Sequence, residues 1–225
     1  RMLSKVDSDP QFRTVLAKLL ATMQLTLRGT PFIYQGQELG MINREFSSIH
    51  DLRDVESLNL YTELCKSIRE ADAFKKVLAG SRDHSRTPMQ WADERYAGFS
   101  ETQPWIGNGD DCKICNAAAQ ISDQDSVWSF YRKLMELRRA HKALIYGNMT
   151  FDNKKEKHLF TYDRTDEKET FHIECNLSRN ILKRKGKMPQ GLRLISNYPE
   201  VSDSQLRPYE AAVWLITACP KGPAP

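Results

Sequence analysis

Thr30-Pro31-Phe32-Ile33-Tyr34-Gln35-Gly36 is the stretch on which the fold turns. It is a short apolar run without polar alternation, stopped by glycine, which is how a strand buried on both faces reads. Upstream, Asp9-Pro10 has the form of a helix start, with aspartate at the cap and proline at the first helical position. Phe12, Val15, Leu16, Leu19, Leu20, Met23 and Leu27 follow at helical spacing and predict one broad apolar face. Arg28 suits the negative end of the helix dipole, and Gly29 ends the helix. A helix, a tight turn and a buried strand make an αβ unit, so this region is expected to belong to an α/β fold. Gln35, Gln37 and Glu38 would then stand at the C-terminal end of the strand, the face on which β/α barrels place their sites. The plainer alternative for Gln37 and Glu38 is hydrogen bonding to neighbouring loops.

Further along, residues 41–59 are irregular and dense in charge, with Asp51, Arg53, Asp54 and Glu56. The stretch is long for a connection, which favours a functional loop. Helices are expected from about Leu58 to Arg69, with Leu60, Leu64 and Ile68 on one face, and near Ala73 to Leu78. Ser81-Arg82-Asp83-His84-Ser85-Arg86-Thr87-Pro88-Met89-Gln90-Trp91 follows neither helical nor strand period. Thr87-Pro88 stops a helix there, because proline restricts the residue before it. The stretch reads as a polar loop held on a scaffold, either carrying function or acting only as an ion-pair latch between two elements. Arg82 and Arg86 are forked donors suited to carboxylates or to a ring of hydroxyls. Asp125 looks like the cap of a helix bearing Val127, Phe130, Tyr131, Leu134 and Leu137, with Arg138, Arg139 and His141 at its far end.

After Gly147 the pattern changes to short runs at 148–151, 158–162, 170–175, 192–195 and 211–216, separated by turn-rich stretches. That spacing predicts an antiparallel β domain beginning near 147, with a loose tail over 217–225.

Composition narrows the function classes. The chain has 225 residues, 40% hydrophobic and 28% charged, with a net charge of +4 that points to no particular partner. The densest basic run, Lys183 to Lys187, lacks interleaved aromatics and reads as a solvated turn, so no nucleic-acid partner is expected. No apolar run approaches the roughly 18 residues of a membrane span, so no membrane partner is expected. Five cysteines at 65, 112, 115, 175 and 219 do not suggest a disulfide framework. Cys112-Lys113-Ile114-Cys115 is a lone pair without the roughly four ligands that zinc needs, so neither a metal nor a cofactor is expected. Asn148-Met149-Thr150 and Asn176-Leu177-Ser178 fit the glycosylation sequon and matter only for a secreted protein.

Several of these segments together resemble a known family. Gly29–Gly40 resembles the eighth barrel strand of α-amylase-superfamily α-glucosidases. Asp51–Glu56 with Asn59 and Tyr61 resembles the following loop of their oligo-1,6-glucosidase, maltase and isomaltase group. Ser81–Trp91, Ala97-Gly98-Phe99, Pro104-Trp105 and Leu206–Ala211 continue the resemblance in order. The resemblance implies α/β plus β architecture: the C-terminal portion of a (β/α)8 barrel over 1–146, then an antiparallel β-sandwich over 147–216. It also implies retaining hydrolysis of α-glucosidic bonds in small α-linked glucose oligosaccharides, through two carboxyl groups about 5–5.5 Å apart.

The motifs bearing those acids are not in this sequence, and Arg1 is similar to the last residue of the family's His-Asp-Gln-Pro-Arg motif. The chain is therefore expected to be a fragment that supplies pocket residues and no catalytic carboxylate. By resemblance, Arg82 contacts the glucose in the cleavage subsite and pairs with an acidic residue upstream. Glu56 lines the neighbouring subsite. Asp83, His84 and Arg86 support Arg82. Trp91, Phe99 and Trp105 are either sugar-stacking platforms or local core. Two departures, Leu52 where an aromatic is usual and the segment 108–112, leave substrate preference open. So do two other readings: a sucrose isomerase or trehalose synthase, and a non-catalytic homologue.

Overall fold

The computed structural model describes residues 1–151, 157–184, 188–200 and 202–216. Among the described residues, eight α-helices run in chain order: α1 Met2–Val6, α2 Arg13–Thr26, α3 Val55–Leu64, α4 Glu70–Gly80, α5 Asp83–Arg86, α6 Ala117–Ser122, α7 Val127–Ala140 and α8 Ala143–Tyr146. The strands are β1 Asn148–Phe151, β2 Leu159–Thr165, β3 Thr170–Asn176, β4 Leu182–Lys183, β5 Leu192–Ser196, β6 Gln205–Leu206 and β7 Ala211–Ile216. The chain divides into two compact units, one of residues 1–6 and 35–123, the other of residues 7–34 and 124–216. Among the described residues, no helix is long and apolar enough to cross a membrane.

In the first unit α3 packs on α4 over a core of Phe46, Leu52, Val77 and Ile106. Leu52, the residue that departs from the family pattern, is part of that core rather than of an open surface. Helix α3 begins at Val55 and ends at Leu64, earlier at both ends than its apolar spacing suggested. The segment after Gln35 closes on itself as a turn, with the Met41 amide donating to the Gly36 carbonyl at 2.9 Å. Gly36 has φ +80°, and a Cβ there would lie 2.2 Å from the Met41 sulfur, so any other residue would be strained and would have to displace Met41.

The second unit is built on a five-stranded antiparallel sheet in the order β1-β2-β3-β7-β5, with β4 and β6 as a separate pair. All five strand runs expected from the sequence form, and the register sorts their faces. Tyr162, Phe171, Ile173, Cys175 and Val213 are fully buried on one face, and α2 packs against β3, β7 and α7. The apolar stripe of α2 sits at Leu16, Leu19 and Leu25, so Leu20 and Met23 are only half-buried. Asp9 caps the entry as expected, but its carboxylate accepts the Gln11 amide to start a 3-10 turn, and α2 proper begins at Arg13. Ser126, not Asp125, caps α7, its hydroxyl accepting the Ser129 amide at 3.0 Å.

Two buried guanidiniums close the C-terminal end of α2. Arg164 donates to the carbonyls of Thr26 (2.5 Å), Leu144 (2.9 Å) and Gly147 (3.1 Å). Arg138 donates to those of Leu25 (2.7 Å), Leu27 (3.2 Å), Gly29 (2.6 Å) and Leu144 (2.7 Å). Cations belong at this end, where the last turn leaves carbonyls unpaired and the helix dipole is negative.

The expected strand at Thr30–Gln35 does not form. The segment is extended without a ladder; Phe32 is 84% and Tyr34 52% exposed, and Gln24 donates to the Phe32 carbonyl at 2.5 Å. A strand exists only by pairing its backbone with another strand. Every strand pairing among the described residues is antiparallel and lies within residues 148–216. The expected loose tail at 217–225 and most of the basic run, residues 185–187, lie outside the described residues.

Candidate functional site

Residues 53–56 and 82–86 form a reciprocal lock. Asp54 stands at the N-cap of α3, yet its carboxylate does not cap the helix backbone. Its Oδ1 accepts both Nε (3.0 Å) and Nη2 (2.7 Å) of Arg82, and its Oδ2 accepts the Ser57 hydroxyl at 2.8 Å. In return, Oδ2 of Asp83 accepts the backbone amides of Arg53 (2.6 Å) and Asp54 (2.9 Å). Arg86 Nη1 bridges the two acids, 3.0 Å from Asp83 Oδ1 and 3.5 Å from Asp54 Oδ1.

The loop is less irregular than the sequence suggested. Asp83–Arg86 is one helical turn, and Thr87 ends it in an extended conformation ahead of Pro88, as the proline requires.

Burial divides the roles. The carboxylates of Asp54 and Asp83 are 4% and 0% exposed, whereas the Arg82 side chain is 58% and that of Glu56 76% exposed. Arg82 Nη2 also lies 3.1 Å from Glu56 Oε2. Burial alone would raise the Asp54 pKa. The hydrogen bonds from Arg82 and Ser57 and the charge of Arg82 outweigh it and hold the carboxyl at about 2. Asp54 is therefore anionic at neutral pH and fixes one edge of a guanidinium whose other edge faces outward.

Of the residues singled out in the sequence, Arg82, Glu56, Asp83 and Arg86 come together. His84 does not join them: its Nε2 lies 2.8 Å from the Leu78 carbonyl at the end of α4, and its ring is 5.4 Å from that of Phe46. Burial lowers the His84 pKa, which favours the neutral ring. Asp54 stands in the sequence as one charge of the loop and as part of the Asp51–Glu56 motif, with no role of its own. Its signal was present, since an aspartate directly before Val55-Glu56-Ser57 marks a cap, but a cap gives no hint of an arginine partner 28 residues away. Arg1 ties this region to the turn after Gln35, its guanidinium donating to the Gln35 carbonyl and to the Thr87 hydroxyl (2.9 Å).

The three aromatics are not local core. Trp91, Phe99 and Trp105 are 52%, 50% and 63% exposed. Between them Tyr96 and Ala97 both hold left-handed backbone (φ 53° and 57°), which costs about 1–3 kcal/mol for each such residue. Ala97 is fully buried, and its carbonyl accepts the amides of Trp91 (2.8 Å) and Ala92 (3.2 Å), which hold the turn. Next to them, in the divergent segment 108–112, Asp111 accepts the Gln90 side-chain amide at 3.1 Å. Cys112 and Cys115 are free thiols, and Cys115 donates to the Leu39 carbonyl.

The sequence family described as the α-amylase catalytic domain matches residues 1–147. The chain belongs to that family. It is 40% identical over 222 residues to the trehalose-6-phosphate hydrolase of Escherichia coli K12, and 36% identical over 229 residues to the oligo-1,6-glucosidase of Parageobacillus thermoglucosidasius. Each alignment covers 96% of this chain and 40% of the relative. Among solved structures, the isomaltulose synthase of Klebsiella sp. LX3 superposes with a TM-score of 0.88 at 32% identity, over 96% of this chain and 40% of that one. The chain thus spans about 40% of the length of the relatives it matches.

Proposed function

We propose that this chain is the part of a retaining α-glucosidase that supplies one wall of the sugar pocket, with the reactive carboxyl groups carried elsewhere in the longer enzyme. On this reading, residues 1–146 are the C-terminal part of a (β/α)8 barrel and 147–216 an antiparallel β-sandwich domain. The family match ending at 147 and the two antiparallel sheets beyond it support that division. The substrates are small α-linked glucosides, in keeping with the names of the relatives.

The observation that carries the reading is the outward edge of Arg82. Its Nε and one Nη2 N–H are anchored on a buried aspartate, while Nη1 carries no bond among the described residues. A planar fork held at one edge offers parallel donors at the other, suited to two vicinal sugar hydroxyls. Glu56, exposed beside it, accepts hydroxyl hydrogen bonds at the next position outward. Asp83 and Arg86 hold the loop that carries Arg82, and His84 holds that loop to the end of α4.

Lysine has one charge but no fork, so Arg82→Lys in the intact enzyme should lower kcat/KM by about 100-fold or more with the fold preserved. Unchanged kinetics in a folded variant would remove Arg82 from the pocket. A transferring or isomerising relative is the second reading, favoured by the superposition on isomaltulose synthase. Product analysis on isomaltose, sucrose and trehalose 6-phosphate separates the two, since free glucose without isomerised product marks hydrolysis. Absence of the acid-bearing motifs from the rest of the coding sequence would instead favour a non-catalytic homologue.

A further inference from the structure

We infer that Asp54 is the positioning residue for Arg82: it forgoes capping its own helix in order to fix the guanidinium in the plane in which the sugar is met. The inference rests on the pocket reading above.

Three observations carry it. An aspartate at an N-cap normally accepts an amide of the first turn. Asp54 sits at that position with cap-like backbone angles (φ −72°, ψ 108°), yet no amide of the first turn reaches its carboxylate. Both oxygens are engaged by side chains instead, Oδ1 by Arg82 and Oδ2 by Ser57, so the carboxylate cannot rotate freely. Second, the backbone that carries Asp54 is itself pinned, by the bonds from the Arg53 and Asp54 amides to Asp83. The acid that holds the arginine is therefore held by the residue next to that arginine, and neither segment can shift without the other. Third, the partners differ in burial. Asp54 is enclosed while Glu56 is exposed, so a sugar hydroxyl can displace Glu56 from Nη2 but cannot displace Asp54. A single exposed ion pair would leave Arg82 several rotamers. Two bonds to one buried oxygen leave it one.

The test is a double-variant cycle in the intact enzyme. Asp54→Asn keeps the shape and an acceptor but loses the charge that holds the fork. It should lower kcat/KM by about 100-fold, through kcat more than KM, because misplacement penalises the transition state most. Asp54→Glu keeps the charge and moves it outward by one methylene, and should also lower kcat. Combined with Arg82→Lys, Asp54→Asn should add almost nothing, since both act through one guanidinium.

A purely structural Asp54 predicts the opposite: losses that multiply, and that follow the folded fraction measured by thermal unfolding. Should Asp54→Asn fold poorly, Ser57→Ala provides the second arm. It frees Oδ2 while leaving the Arg82 pair in place, and should reduce kcat several-fold at unchanged melting temperature. If Arg82→Lys is severe while folded Asp54→Asn is silent, the positioning role fails and the pocket stands. If Arg82→Lys is itself silent in a folded enzyme, the pocket reading fails first.

Discussion

At the scale of single residues, the informative contrast is between Arg82 and Asp83, neighbours in sequence with opposite surroundings. The Arg82 side chain is largely open to solvent. Asp83 is wholly buried and acts inward, accepting two backbone amides and the Arg86 guanidinium. Asp83→Asn should therefore be costly: whichever way the amide is turned, its NH2 faces either a backbone N–H or a guanidinium. The loss should be about 3 kcal/mol, typical of breaking a buried charged pair, and urea denaturation of the intact protein measures it. An unchanged midpoint would mean that the lock does not hold the loop. Arg82 stood out in the sequence as a forked donor in an irregular loop, and Glu56 stood out through the family resemblance. Asp54 did not, because its partner lies 28 residues away and nothing local specifies it.

At the scale of elements, the sheet was read strand by strand, while its charge network was not. Register places Asp163, His172 and Glu174 on one face, with Arg184 reaching Glu174. His172 Nδ1 lies 2.6 Å from Asp163, and Nε2 lies 3.8 Å from Glu174. Burial would lower the His172 pKa, but the bonds to Asp163 and Glu174 prevail and raise it from 6.5 to about 9. Glu174 moves the other way: burial pushes it up, and His172 and Arg184 bring it below its ordinary 4.5.

The signs follow from linkage. A raised imidazole stabilises the fold fully below 6.5, and the contribution is lost as pH rises through about 9. A depressed carboxylate stabilises above 4.5 and is lost as pH falls through its lower folded value. The cluster therefore contributes most between 4.5 and 6.5. The melting temperature of the sheet should decline from 6.5 toward 9, and His172→Gln should flatten that decline. An identical slope in the variant would place the pH dependence elsewhere. Asn176 makes a related point about motifs. It heads a glycosylation sequon, yet it is fully buried, its side-chain amide donating to the carbonyls of Asn180 (2.7 Å) and Arg207 (2.7 Å), so in this fold it is structural.

At the scale of the whole molecule, the chain holds the lock around Arg82 and a five-stranded antiparallel sheet, and it spans about 40% of its relatives' length. The carboxylates that converge on Arg82 are not a free acid and nucleophile. Asp54 and Asp83 are tied to guanidiniums and amides, and Glu56 meets Arg82. The purified 225-residue chain should therefore show no glucosidase activity above background with a chromogenic α-glucoside. It should also be poorly soluble, because it presents the large apolar side chains of Phe32 and Tyr34 to solvent. A measurable rate that Arg82→Lys abolishes would show that the chain carries its own acids.

The order of elements was determined by the amino-acid sequence alone. Periods of two and of 3.6, caps, prolines and glycines act within a few residues, so the five main strands, the main helices and the arginine-bearing loop could be placed from it. What only the tertiary structure decided was pairing. A strand needs a neighbour that its own residues cannot supply, so Thr30–Gln35 stays unladdered. A guanidinium binds whichever carboxylate the fold brings to it, and here that is Asp54, held in turn by the backbone amides that Asp83 captures.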